Sequence, residues 1–406
     1  MPTLLTAFVR NRGELFVIRR ADSGRDPGRW DGLSVPLDGA TDTAASEARR
    51  LVRSTTDLTA LRLAYAGESV TVGDRTIHPV LFDSPDRAVG EIGGDDGVAA
   101  AEWVPATALL DRETVPGLWA AYEQVAPSAT TISADTVHGA AALSIRALEA
   151  LRDRAAVADS WGDVADTARE LRAARPSMAV LANRINRVMS TAERSTAAVH
   201  ERAISEIDAA LDADATAATT AADRLSGPIA TLSWSGTVKD ALVELAASVT
   251  IAEARPDREG IELAESLAVA GLDVTVTTDA ALPALLSDRE FGAVLVGADT
   301  ILPNGDIVNK VGTRALALAA DRADVPVYVA AARDKVAVDD TFHREEGPET
   351  AVYDGPESVS VRNPVFDLTP GELVEGVVTE NGLLDSRGIS VVAAQHRSNA
   401  EWPGGE

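Results

Sequence analysis

The sequence predicts an α/β protein: an N-terminal α+β domain, then a helical subdomain that leads into a doubly wound, mostly parallel sheet. Three observations carry this. From residue 229 onward, short apolar runs of strand length alternate with helical runs, the pattern of βαβ crossovers in a sheet covered on both faces. Residues 127–225 read almost wholly as helix. Before residue 127, strand-like runs and a hairpin signal surround one helical run and precede a second. A length of 406 residues allows two or three such domains with ample surface to bury.

In the first domain, 1–126, Leu4 to Val9 and Glu14 to Ile18 form a hairpin pattern joined by Asn11-Arg12-Gly13. Gly28-Arg29-Trp30-Asp31-Gly32-Leu33-Ser34 follows, and a helical run extends from Thr43 to Arg53. Further strands are expected at Leu61 to Ala66 and His78 to Phe82. Glu102-Trp103-Val104-Pro105 precedes a last helix near Val115 to Tyr122. The cluster Pro127-Ser128-Ala129-Thr130-Thr131 marks the break.

The helical subdomain, 127–225, opens with Ala141, Ile145 and Leu148 on one helix face behind Val137-His138-Gly139-Ala140. Helices are expected over Ala165 to Ala174, Met178 to Met189 and Glu201 to Ala222. The sheet domain, 226–395, has strands at Ile229 to Leu232, Val249 to Ala252, Val274 to Thr277, Ala293 to Val296 and Val325 to Ala330. Helices lie between them at Val238–Ala247, Gly260–Ala270 and Arg314–Ala320. Residues 396–406 end in Pro-Gly-Gly-Glu and read as a tail without chemistry.

Ligands of open α/β sheets sit beyond the carboxyl ends of the strands. Here those ends are polar: Ser233-Trp234-Ser235-Gly236-Thr237, Glu253-Ala254-Arg255-Pro256, Asp279-Ala280 and Asp299. The most informative stretch is Val296 to Thr313, where a buried strand ends in Gly-Ala-Asp. A turn at Pro303, Asn304 and Gly305 follows, and Asn309-Lys310 then enters a helical run. Asp299 is placed as a site carboxylate and Lys310 as a phosphate partner, with Arg255 as a second cation. Gly139 and Ala140, at a helix start, offer backbone N–H groups to an anion. His138 beside them reads equally as ligand or as simple cap.

Composition bounds the function. Cysteine is absent, which excludes disulfides, thiolate metal sites and a thiol nucleophile. The formal charge is −26, and lysine occurs only at 239, 310 and 335. Such a surface suggests a proteome adapted to high salt, as in a haloarchaeon; the alternative is a protein that binds basic partners. No basic stripe supports direct nucleic-acid binding. No apolar run reaches bilayer length, and Met-Pro-Thr-Leu-Leu-Thr-Ala-Phe-Val-Arg lacks the layout of a signal peptide, so the chain is expected to be cytoplasmic without a membrane partner.

The Val296–Thr313 block resembles the signature of the family that joins the regulatory subunits of translation initiation factor 2B to the isomerases of ribose 1,5-bisphosphate and methylthioribose 1-phosphate. The resemblance spans residues 130 to 395. It includes Arg175-Pro176 with Asn183, Arg255-Pro256 with Gly260, Thr278-Asp279-Ala280, the run Asn363 to Pro370, and Thr379-Glu380-Asn381-Gly382. It implies a Rossmann-like sheet, self-association into a dimer or higher assembly, and no cofactor or metal. It also implies substrate contacts from Asn309 and Lys310. In the family's isomerases the aspartate matching Asp299 works with a cysteine, whose place here falls on Ser235 in Leu-Ser-Trp-Ser-Gly-Thr-Val. The family's phosphate arginine falls on His138. A serine hydroxyl is a far weaker acid than a thiol.

The order of elements in 1–126, with Trp30 and Glu102-Trp103-Val104, resembles a Nudix domain. The Nudix box reads G-x5-E-x7-R-E-U-x-E-E-x-G-U, with U aliphatic. Aligned on Arg50, its key glutamate positions hold Leu51, Ser54 and Thr55; its closing glycine position holds Asp57, and its first falls on Pro36. Magnesium needs carboxylate oxygens. Asp38 and Asp42 remain nearby, but the expectation is a Nudix-like fold without hydrolase activity.

The leading functional expectation is therefore an initiation factor 2B-like regulatory protein that binds a sugar phosphate or nucleotide around Asp299. Ser235, Thr237, His138, Gly139, Ala140, Arg255, Asn309 and Lys310 would line the site, and translation initiation factor 2 is the partner the resemblance implies. The alternative is an aldose–ketose isomerase of ribose-1,5-bisphosphate type with Asp299 as acid/base. A third reading is an active Nudix hydrolase.

Overall fold

The computed structural model describes residues 3–37, 43–90, 92, 97–288 and 290–403. The chain forms two compact units: Met1–Ser128 with Arg152–Val157, and Ala129–Leu151 with Ala158–Glu406.

The first unit is an eight-stranded mixed sheet carrying two helices. Its elements are β1 (Thr3–Asn11), β2 (Glu14–Arg20), β3 (Trp30–Asp31), β4 (Leu33–Pro36), α1 (Ala44–Thr56), β5 (Arg62–Ala66), β6 (Val70–Val72), β7 (Arg75–Asp83), β8 (Val98–Pro105) and α2 (Leu118–Glu123). The central order is β3-β2-β1-β7-β5, with β4 on β1, β6 on β7 and β8 on β2. The expected hairpin is present in the register Asn11↔Glu14. Its turn needs positive φ at two residues, which Arg12 (49°) and Gly13 (79°) adopt. Helix α1 buries Ala44, Ala48, Val52 and Thr56, one stripe at a spacing of four, against Leu5, Val9 and Phe82. On the other sheet face Phe8, Leu15 and Leu81 pack against Leu118 and Tyr122 of α2. Ser54 is exposed and donates to the Leu51 carbonyl of its own helix. Asp38 and Asp42 lie outside the described residues.

The second unit starts with helices α3 (Ala129–Ala134), α4 (Ala140–Val157), α5 (Trp161–Ala173), α6 (Ala179–Thr191) and α7 (Thr196–Arg224). The expected break is shorter than the sequence suggested, because residues 129–134 are already helical and only Pro127-Ser128 interrupts. Serines set two of the helix starts. Ser160 and Asp163 form a reciprocal capping box on α5, and Ser195 accepts from the Ala198 N–H on α7.

The sheet follows: β9 (Ile229–Leu232), α8 (Gly236–Leu245), β10 (Val249–Ala252), α9 (Glu259–Val269), β11 (Val274–Thr277), α10 (Leu282–Asp288), β12 (Ala293–Val296), β13 (Thr300–Ile301), β14 (Ile307–Lys310), α11 (Thr313–Arg322), β15 (Val327–Ala330), β16 (Phe366–Thr369), β17 (Gly376–Thr379), β18 (Gly382–Leu384) and α12 (Ser386–Asn399). Strand order is β11-β10-β9-β12-β15-β17-β18, parallel except for the last pair. The chain thus winds outward in both directions from β9 and β12, with helices on both faces. One apolar cluster holds Leu232, Val294, Val296, Leu316 and Val329; another holds Ile229, Ile251, Leu242, Leu263 and Leu295. Among the described residues no helix is long and apolar enough to cross a membrane.

Two sequence expectations change. Asn309-Lys310 does not start a helix but closes β14, which pairs with β13 and β16 in a small antiparallel sheet. The turn at Pro303-Asn304-Gly305 is the hairpin between β13 and β14. The domain also does not end at residue 395. Helix α12 keeps burying Ile389, Val392, Ala393 and His396, so its apolar spacing carries it past that point. Trp402 beyond it is 4% exposed, sits edge-on to Trp161 and donates to Asn186 Oδ1 at 2.9 Å. The helix-ending signal, Pro-Gly-Gly, comes only at 403.

A buried charge cluster ties α6 to the turn after β15. Arg184 Nε and Arg187 Nη1 reach Asp334 at 3.1 and 2.5 Å, and Arg187 Nε reaches Glu206 at 2.7 Å. Asn183 Nδ2 donates to the carbonyls of both Asp334 and Val336, at 2.7 and 2.8 Å. Burial works against ionisation of Asp334, but the two guanidinium groups win and hold its carboxyl well below the usual range. Its contribution to stability is present above the unfolded value of 3.8 and is lost as pH falls through the lower folded value. Asp334→Ala removes the carboxylate that Arg184 and Arg187 share and leaves them only Asp214 and Glu206, with an expected cost of about 3 kcal/mol in a denaturant melt at pH 7. That deficit should shrink on acidification, because wild type loses the same carboxylate.

Candidate functional site

The strand order reverses between β9 and β12, so the chain leaves these neighbours in opposite directions and a crevice opens at their carboxyl ends. Both ends are built for close approach. After β9, Ser233 adopts φ 60° and turns the chain, so that Ser235 caps α8 with its Oγ accepting from Val238 N–H at 3.4 Å. After β12 comes Gly297. A Cβ there would stand 2.8 Å from Ser235 Oγ and 4.0 Å from Asn309 Oδ1. Glycine leaves the space that the Ser235 side chain occupies, while Asn309 stands at ordinary contact distance. Asp299 is anchored through its backbone N–H to Val308 O at 2.9 Å, and Thr300 Oγ1 donates to Ser177 O at 2.8 Å.

Asp299 is half-buried, and no described protein group donates a hydrogen bond to its carboxyl. Burial pushes its pKa up; Lys335 and Lys310 oppose this, and the carboxylates of Glu259 and Glu345 add to the push. Lys335 is 5% exposed and donates to Ala298 O at 2.5 Å. Burial draws its ammonium pKa down, against the pull of Asp299. Lys310 Nζ lies 2.9 Å from Glu259 Oε1 and 3.7 Å from Asp257 Oδ2. Asn309 Nδ2 donates to Thr313 Oγ1 at 2.9 Å, which fixes its amide and leaves Oδ1 towards Gly297.

The helical entrance is linked to this crevice by Arg175. Its Nη1 donates to Asp135 O at 2.5 Å and its Nη2 to Glu345 Oε2 at 3.1 Å; Ser177 Oγ holds the other Glu345 oxygen. Asp135 in turn meets His138 Nδ1 and Arg146 Nη1, each at 2.8 Å. Burial opposes ionisation of Asp135, but hydrogen bonds from the His138 side chain and backbone hold its carboxyl low.

Of the residues the sequence singles out, Asp299, Asn309, Lys310 and Ser235 gather at the crevice, with Thr237 buried in the first turn of α8 behind Ser235. His138, Gly139 and Ala140 sit at the start of α4 and are linked towards the crevice through Asp135, Arg175 and Glu345. Arg255 is exposed; its backbone N–H donates to Asp279 Oδ2 at 2.7 Å, which organises the loop rather than the crevice. Lys335, Glu345, Glu259 and Arg175 were not singled out as site residues. Two are legible in hindsight: Lys335 is one of three lysines, and Arg175 belongs to the Arg-Pro pair already noted. The two glutamates are lost among the chain's 63 acidic residues. An open cleft of about 500 Å3 lies elsewhere, at α12 and the β17–β18 turn, lined by Arg333, Asn381, Arg387 and Val391 among others. It has no part in the Asp299 crevice.

Residues 136–386 match the initiation factor 2 subunit family. A methylthioribose-1-phosphate isomerase from Bacillus velezensis is 35% identical over 152 residues, 35% of this chain and 43% of that protein. One from Geobacillus kaustophilus is 40% identical over 148 residues, 34% of this chain and 42% of its own length. The chain thus spans less than half the length of these curated relatives. Among solved structures, translation initiation factor eIF-2B from Pyrococcus horikoshii superposes with a TM-score of 0.55 at 28% identity, over 63% of this chain and 94% of that one. The fold of a 5-methylthioribose 1-phosphate isomerase from the same organism matches with a TM-score of 0.54 at 23% identity, over 66% and 86%.

Gly297→Ala tests the convergence directly. It should cost about 1–3 kcal/mol in thermal or denaturant unfolding, since the new methyl meets Ser235. Adding Ser235→Gly should restore most of that loss.

Proposed function

The chain belongs to the initiation factor 2 subunit family, and on that premise we propose that it is an aldose–ketose isomerase of a phosphorylated pentose. One observation carries the reading: a carboxyl raised by burial and open to a ligand, set between two of the chain's three lysines where the strand order reverses. Perturbed acid/base groups in such crevices are the usual mark of proton-transfer chemistry. The relatives named as methylthioribose-1-phosphate isomerases support it over a purely regulatory role.

Opening of the sugar ring and transfer of one hydrogen between C2 and C1 need a group that takes up and returns a proton. Asp299 fills that role; ionised, it accepts the proton, and protonated, it gives it back. Lys335 balances the charge that moves on and off Asp299. Lys310 and Asn309 hold the phosphate and an adjacent hydroxyl. Ser235, at the cysteine position, supplies a hydrogen bond to the ring oxygen rather than an acidic proton. Arg175, Glu345 and His138 make the outer wall of the same site.

Ser235 favours a second reading: a ligand sensor that binds a phosphorylated sugar without turnover, with a translation factor as downstream partner. For the first unit we propose a Nudix-like fold without hydrolase activity, because Leu51, Ser54 and Thr55 bring no carboxylate to α1. Mg2+-dependent hydrolysis of a nucleoside diphosphate derivative by the full chain would refute that part. Self-association through the open cleft beside α12, and a surface suited to high salt, complete the proposal.

The deciding experiment incubates the protein in molar KCl with ribose 1,5-bisphosphate or methylthioribose 1-phosphate and follows the ketose product by NMR. Turnover is expected, and Asp299→Asn should lower kcat by about 10²–10⁴-fold with binding retained. Line broadening by binding with no product would establish the sensor instead. Because burial raises the Asp299 carboxyl, kcat/KM should fall on acidification at a higher pH than an ordinary carboxylate would give. A profile flat down to the ordinary carboxylate value of 3.8 would remove Asp299 as the base.

A further inference from the structure

This inference rests on the reading that Lys310 receives the phosphate of a sugar phosphate. We propose that Glu259, seconded by Asp257, is a charge filter at Lys310 that admits a phosphomonoester and rejects ligands carrying a pyrophosphate, such as nucleoside diphosphates.

The geometry keeps Glu259 in place. One of its oxygens meets Lys310 Nζ at 2.9 Å, and the other accepts from the Ser233 hydroxyl. Ser233 is 3% exposed and is fixed at the end of β9. Glu259 itself lies in the first turn of the eleven-residue helix α9, where free N–H groups favour a carboxylate. The backbone of Lys310 is held by the pairing of β14 with β16 in the register Lys310↔Phe366. Both side chains thus start from fixed backbone positions and are joined by the ion pair.

A phosphate that reaches Lys310 therefore enters the field of Glu259, of Asp257 at 3.7 Å from the same ammonium, and of Asp299, which Lys310 also influences. Repulsion from these carboxylates grows with ligand charge. A phosphomonoester brings about two negative charges near neutral pH; a diphosphate brings more, within one compact group. The sugar's hydroxyls, in contrast, are donors, and carboxylates are acceptors only. The same residues that repel a pyrophosphate thus suit the hydroxyl-rich end of a sugar. Sugar phosphate is selected over nucleotide by charge.

Calorimetric titration of the full chain with ribose 1-phosphate and with ADP, in wild type and Glu259→Gln, tests the filter. Wild type should prefer ribose 1-phosphate. Glu259→Gln should tighten ADP binding by about tenfold and ribose 1-phosphate by no more than about threefold. Glu259→Asp, which keeps the charge, should keep the preference, and Lys310→Met added to Glu259→Gln should erase the gain for ADP. Equal changes for both ligands, or weaker ribose 1-phosphate binding in Glu259→Gln, would overturn the filter alone. Binding of neither ligand by either protein would overturn the sugar-phosphate reading with it.

Discussion

The reversal of strand order between β9 and β12 is the constraint on which the rest of the site depends. Parallel strands need covering helices, and helices that leave neighbouring strands in opposite directions cannot close over the gap between them. That gap is where the chain concentrates its unusual conformations. Ser233 sits in the left-handed region, Gly297 occupies a spot where a Cβ would strike Ser235, and Asp299 keeps a carboxyl that the protein does not bond. Each feature weakens local structure for the sake of an accessible polar surface. Stability must come from elsewhere.

One such tie joins the helices to the turn after β15, at the same carboxyl ends of the sheet. Arg184 and Arg187 of α6 neutralise Asp334, while Asn183 uses both amide hydrogens on the carbonyls that flank Lys335. His396 of α12 adds a ring nitrogen 2.8 Å from Val336 O. Asp334 and Lys335 are neighbours in one short turn, yet one faces the helical cluster and the other reaches Ala298. The same turn therefore anchors the helices and presents a cation to Asp299. Removing the anchor would disturb the acid/base environment even though no anchoring residue touches it.

The distribution of lysine shows how tightly the site is specified. Basic residues number 37, and all but three are arginine. Two of those three lysines act on Asp299. An ammonium is a compact charge whose pKa responds to burial, whereas a guanidinium stays protonated. At Asp299 the cations are thus the compact, titratable kind, whereas Lys239 is a surface residue of α8. Serine in the place of a thiol is the opposite case. Ser235 caps α8 through its hydroxyl, and a hydroxyl is a far weaker acid than a thiol.

The parallel sheet and its strands are legible in the sequence, since apolar runs such as Ile229–Leu232 and Ala293–Val296 are dictated by burial on both faces. The sequence also marked Asp299, Asn309 and Lys310, because they follow a buried strand in one short segment. It could not show that Asn309-Lys310 closes a strand, since β13 and β14 are too short to carry a periodic signal and are stabilised by pairing with the distant β16. Nor could it assemble Lys335, Glu259 and Glu345, which act on Asp299 only once separate segments pack together. The tail misled for the same reason: Trp402 is buried by α5 and α6, partners more than two hundred residues away. Local pattern fixes which segments are buried, while tertiary packing alone decides which charges meet.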